Sequence, residues 1–177
     1  MQNPQHPELG TEPPALSHVD AQGRARMVDV GDKAVTRRTA IARGRVRISD
    51  ALAKRIAAND LAKGSLLDVA RIAGVMAAKR TDELIPLCHS LPLDHVDVTA
   101  HVEGNHVLLE ATASVSARTG IEMEALTAVS VAALTVIDMG KAVDPAMVIE
   151  EVKLIEKRGG RRGTVRPHNN TPGDKHG

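Results

Sequence analysis

Not one of the 177 residues is Phe, Tyr or Trp. The core must therefore be built from Ala, Val, Leu, Ile and Met. Each buries less area than an aromatic ring, so a lone domain of this size is expected to be modestly stable. Association would bury more, which makes an oligomer an expectation before any motif is read. The same absence removes the aromatic platforms on which single-stranded nucleic acids stack. Cysteine is nearly missing too: one residue excludes an internal disulfide and fits a reducing cytoplasm. No apolar run reaches the ~18 residues of a membrane span. The opening MQNPQHPELGTEPP lacks the basic-then-apolar pattern of a signal peptide. Net charge is also small. Lys plus Arg (23) almost balances Asp plus Glu (22), and the formal +1 gives no global field to recruit nucleic acid or an anionic membrane. A GxxxxGK[ST] loop is absent, which argues against a Walker-type nucleotide site.

What is present suits one domain with 42% hydrophobic residues. Residues 1–16 hold four prolines and little apolar content, so they read as a disordered lead, followed by a single domain over 17–158. Residues 159–177 read as a flexible Gly/Arg-rich tail. Between these segments the hydrophobic period switches repeatedly. AVTRRTAIARGRVRIS (34–49) alternates and is β-branched, which predicts a strand. Ser49 then caps a short helix over 50–60. Ser65 and Asp68 form an S-x-x-D capping box that opens a helix over 66–80. Residues 95–116 alternate on both sides of Gly104–Asn105, which predicts a hairpin. A long apolar helix follows over 121–139 with Gly140 at its end, then a strand over 147–157. The order β-α-α-β-β-α-β predicts an α+β fold. A ferredoxin-like plait fits best, with a mainly antiparallel sheet and helices packed on one face.

The stretch KRTDELIPLCHSLPL (79–93) holds the lone cysteine beside a histidine. Zinc ligands are usually spaced so that several donors face one ion. Cys88, His89, His95, His101 and His106 have no such spacing, so no metal is expected. A thiol nucleophile needs an oriented base, and adjacent residues seldom provide one. Cys88 reads instead as a small buried hydrophobe. His89 lies between Pro86 and Pro92, in a rigid non-helical segment suited to holding a ligand.

The long helix carries Glu122 and Glu124 in its first turn and Asp138 in its last, with Lys141 beyond. Acids at the start and a cation near the end complement the helix dipole, which is a purely structural account. Yet Glu124, Thr127, Val131, Leu134, Asp138 and Lys141 share one stripe. Glu124 and Asp138 stand 14 positions apart, roughly 21 Å along an α-helix, so one helix cannot aim both at one atom. Either the ligand is long or the site joins helices from two subunits. Asp138 and Lys141 can meet at i,i+3. Lys63–Gly64–Ser65 opens a helix N-terminus, where anions bind well. Arg43, Arg45 and Arg47 form a row on the first strand, read either as a solvated edge or as cations for a polyphosphate.

Several strings go further: MVDVGDKAVTRR, KGSLLDVARIAGVMAAKRTDELIPLCHSLPL, TGIEMEALTAVSVAALTVIDMGKAV and GGRRG. Over about residues 18–163 they resemble the cyclic pyranopterin monophosphate synthase family, the molybdenum cofactor biosynthesis protein C family. The resemblance implies a ferredoxin-like subunit in a cytoplasmic homohexamer, a trimer of dimers, with active sites at the dimer interface. It implies a phosphorus–oxygen lyase that converts (8S)-3′,8-cyclo-7,8-dihydroguanosine 5′-triphosphate to cyclic pyranopterin monophosphate and pyrophosphate. No metal or organic cofactor is implied. By motif, Asp138 and Lys141 would be catalytic, joined by Lys63 and His89. Leu87, Cys88, Met123 and Glu124 would line the substrate. Asp29, Arg38, Arg118 and Glu122 resemble further site residues. Three positions depart from the common family pattern: Ser65 for Asp or Asn, Ser90 for Pro and Gly140 for Cys. The alternatives are a non-catalytic phosphate- or nucleotide-binding scaffold, or an RNA-associated protein acting through the arginine tail.

Overall fold

The computed structural model describes residues 22–160 and 163–167. The lead expected over 1–16 and most of the tail expected over 159–177 lie outside the described residues. The elements run β1 (Thr36–Arg47), α1 (Asp50–Ala57), α2 (Leu66–Ala78), α3 (Thr81–Leu84), β2 (His95–Glu103), β3 (His106–Ala117), α4 (Glu122–Gly140) and β4 (Val148–Arg158). All strand pairings are antiparallel and the order is β2-β3-β1-β4. This is the ferredoxin-like plait that the order of periods predicts.

Alternation along β1 buries Ala40, Ala42 and Val46 and exposes Arg43, Arg45 and Arg47. β1 pairs on both sides, so the arginine row lies on a central strand and not on an edge. Those arginines face away from the helices and meet carboxylates. Arg43 Nε lies 2.6 Å from Glu110, while Arg45 and Arg47 share Glu150 at 3.0 and 3.1 Å. A shallow concavity of about 630 Å³ lies there, but its arginines are already paired.

With no rings to fill space, the layers must approach closely. Gly44 on β1 sits directly under α4, since a Cβ there would fall 2.4 Å from Val129 Cγ1. Gly74 does the same between α2 and α4, where a Cβ would lie 2.9 Å from the Ala128 carbonyl oxygen. The core is accordingly alanine- and valine-rich, with Ala111, Ala125, Ala128, Ala132, Val107 and Val129 fully buried. α4 is long and apolar enough to cross a membrane by length and composition, yet 56% of it is buried within the fold, as for a central core helix.

Two boundaries differ from the sequence expectation. The first helix stops at Ala57 because Asn59 turns left-handed (φ 50°). The second stops at Ala78, and Thr81 starts the separate short helix α3, its hydroxyl donating back to the Ala78 carbonyl at 3.1 Å. The helical turn of α3 ends at Leu84, so the Pro86–Pro92 segment that holds His89 is non-helical, as its prolines predict.

Candidate active site

The two caps expected from sequence set one group of side chains. Ser49 Oγ accepts from Leu52 N at 3.3 Å and starts α1. Ser65 Oγ accepts from Asp68 N at 3.4 Å and donates to the Asp68 carboxylate at 2.7 Å, starting α2. Lys63, two residues before that cap, reaches the end of α4. Its Nζ lies 2.8 Å from Asp138 Oδ2 and donates to the Asp138 carbonyl at 3.1 Å. Lys141 Nζ meets Oδ1 at 2.6 Å. The Asp138 carboxyl is exposed, and hydrogen bonds from Lys141 and Lys63 bring it down to about 2. It is a permanent anion clamped between two ammonium groups. At the same helix end, Gly140 leaves room for Leu52 and Met147, since a Cβ would lie 2.8 Å from Leu52 Cδ2.

A second group gathers at the opposite end of α4. A pocket of about 360 Å³ is lined by Leu87, Cys88, His89, Glu122, Met123 and Glu124, together with residues from the segment before β1. The 85–91 loop is held in place locally. Cys88 N donates to the Ile85 carbonyl at 3.0 Å, and Ser90 Oγ donates to Asp82 on α3. Ser90 thus supplies by hydrogen bonding a restraint that a proline would supply by its ring.

Glu124 is the unusual group here. It is 4% exposed in the first turn of α4. Burial pushes its carboxyl up to about 7, its own N–H opposes this, and Glu122 and Asp82 add like charge. The Cys88 thiol is raised as well, by burial first and then by Glu124 and Asp82. A thiol in that state is a poor nucleophile.

The remaining expected residues distribute unevenly. Arg38 donates to the Ala117 and Arg118 carbonyls at 3.0 and 3.2 Å and lines a smaller 120 Å³ cavity that shares Gly120 and Glu122 with the main pocket. Arg118 contributes its carbonyl there, but its exposed side chain lines neither cavity. Asp29 accepts from Gly31 N at 2.8 Å and shapes a turn between two valines that do line the pocket. Two lysines escaped the sequence reading. Lys33 lines the main pocket, and Lys157 on β4 pairs with Glu122 at 2.5 Å. Neither has a local signal in the sequence, since Lys157 meets Glu122 across 35 residues of chain. Among the described residues, no three His, Cys, Asp or Glu side chains converge as metal ligands.

A model of the MoaC family matches residues 27–160, which takes in both groups. The chain belongs to the MoaC family. Curated relatives agree over most of their length. A cyclic pyranopterin monophosphate synthase of Chloroflexus aggregans is 60% identical over 150 residues, 84% of this chain and 91% of the relative. One of Novosphingobium aromaticivorans is 56% identical over 149 residues, covering 84% and 95%. A third, of Herpetosiphon aurantiacus, is 55% identical over 161 residues, covering 90% and 98%.

Proposed function

We propose that this chain is a cyclic pyranopterin monophosphate synthase of molybdenum cofactor biosynthesis, a cytoplasmic phosphorus–oxygen lyase. Its substrate is the cyclised dihydro-GTP, (8S)-3′,8-cyclo-7,8-dihydroguanosine 5′-triphosphate, and it releases pyrophosphate. The observation that carries the reading is the pairing of a near-neutral carboxyl with a separate cationic clamp on one helix. The reaction opens the strained sugar link, rebuilds a ring and closes a cyclic phosphate. Those steps move protons, which calls for a group titrating near neutrality, such as Glu124, with the His89 imidazole lining the same pocket. Departure of pyrophosphate calls for fixed positive charge, such as Lys63 and Lys141 around Asp138. Leu87, Cys88 and Met123 give the pterin its apolar wall, and Arg38 with Lys157 flanks the neighbouring cavity.

The groups stand at opposite ends of α4, so we place the working site between two copies, the pocket of one facing the lysine clamp of another. Exposed apolar side chains on the outer helix layer support association: Ile72 (61%), Leu134 (58%), Leu84 (56%) and Met76 (50%). A hexamer built as a trimer of dimers satisfies this arrangement. Incubating the folded protein with the cyclised intermediate and assaying pterin and pyrophosphate tests the function. A folded preparation that gives neither product favours the phosphate-binding scaffold.

A further inference from the structure

Resting on that reading, we infer that the main-chain carbonyl of Val28 fixes His89 as the Nε2–H tautomer, making Nδ1 the nitrogen that exchanges a proton with substrate. His89 Nε2 lies 2.9 Å from the Val28 carbonyl oxygen, across 61 residues of chain. A carbonyl oxygen can only accept, so the proton between them belongs to Nε2. Neutral imidazole carries one N–H, so its lone pair is on Nδ1. The imidazolium form keeps the Nε2–H, so the Val28 bond survives protonation and only Nδ1 changes occupancy. Nδ1 has no hydrogen-bond partner among the described residues.

The carbonyl is held by construction. Residues 27–30 alternate, with Met27 and Asp29 exposed and Val28 and Val30 half-buried against the pocket. The segment ends in a turn closed by Lys33 N to the Val30 carbonyl at 3.1 Å and braced by Asp29 on Gly31 N. Val28 is therefore a positioning residue that acts through His89. A histidine whose tautomer is fixed in advance presents its basic nitrogen without first having to exchange protons with water.

The test is long-range ¹H–¹⁵N correlation on the full chain labelled at its eight histidines, with His89 assigned by loss of its signals in His89→Gln. Above the imidazole titration, we expect limiting pyrrole-type and pyridine-type shifts on Nε2 and Nδ1 of His89. Exposed His101 should show tautomer-averaged shifts and serves as the reference. In Val28→Gly/Val30→Gly, which removes both inward anchors, His89 should move toward the averaged shifts. Its kcat should fall roughly ten- to a hundredfold, a part of the 10²–10⁴-fold that general acid–base catalysis contributes. Averaged shifts in the wild type, or an Nδ1–H pattern, overturn the inference even if product forms normally. Fixed shifts with no product from the wild type overturn the proposed reaction, and Nδ1's part in it, while the tautomer stands. A double variant that shifts His89 but keeps full kcat removes the catalytic half.

Discussion

A carboxyl that titrates near neutrality inside a folded wall makes the native state hold a proton that the unfolded chain releases. Glu124 moves from an ordinary 4.5 to about 7 on folding, chiefly through burial. Because the folded value is the higher, its proton-linked stabilisation is complete below about pH 4.5. It is lost as pH rises through the folded value near 7, and no further change follows above that. At 1.36 kcal/mol per unit, the shift corresponds to a ceiling of about 3 kcal/mol. The side chain borders an open pocket, so solvent screening brings this to about 1–2 kcal/mol. Glu124→Gln keeps the shape and removes the charge. Urea unfolding at fixed protein concentration should give matching midpoints for variant and wild type near pH 4.5. Above pH 7 the variant should be the more stable by that amount. The same variant cannot pass a proton, so product formation should fall on the order of 10²–10⁴-fold. Equal midpoints at every pH, or a wild type more stable than the variant at pH 8, would refute the burial argument. Retained turnover would refute the chemical one.

Asp138→Asn and Lys141→Ala should each leave a folded oligomer with little turnover. Both side chains are more than half exposed in the chain, so neither change should move the melting temperature much, and near-normal product from either variant removes that residue from the proposed site. Cys88→Ser should keep most activity, because a raised thiol pKa suits a wall contact; a loss of about 10³-fold, the scale of deleting a key catalytic group, would contradict this. Light scattering should show a hexamer, and a stable, active monomer would sink the two-copy site.

The fold was readable wherever one face of an element is buried and the other is not. β1, β2, β3 and β4 all announce themselves by period two, and the Gly104–Asn105 turn links β2 to β3 as the pattern requires. The caps at Ser49 and Ser65 were legible because their side-chain acceptors serve local N–H groups. By contrast, the four residues of α3 are too few to show a helical period, and a following Ile85–Pro86 hides them. The central position of β1 was invisible because pairing on both sides depends on strands distant in sequence. Its arginines looked like an edge device, but the partners that settle their role, Glu110 and Glu150, come from β3 and β4.

Site residues divide by the same logic. Side chains that act where their own element ends, such as Asp138 with Lys141, could be paired by counting positions. Lys63 and Lys157 meet their partners only after the chain has returned across the sheet, 75 and 35 residues away. The Val28 carbonyl is beyond side-chain reading altogether, since every residue has one. The length of α4 was nevertheless informative. Its stripe runs from buried Glu124 and Thr127, through half-buried Val131, to exposed Leu134 and Asp138. A stripe that leaves the core as it advances carries a carboxyl raised to about 7 into the protein at one end. At the other end it carries an ion cluster out to the surface. An exposed ion cluster adds little to stability, so the arrangement makes chemical sense only if something covers that end. Leu134, exposed one turn before Asp138, is apolar surface that the proposed second copy would cover.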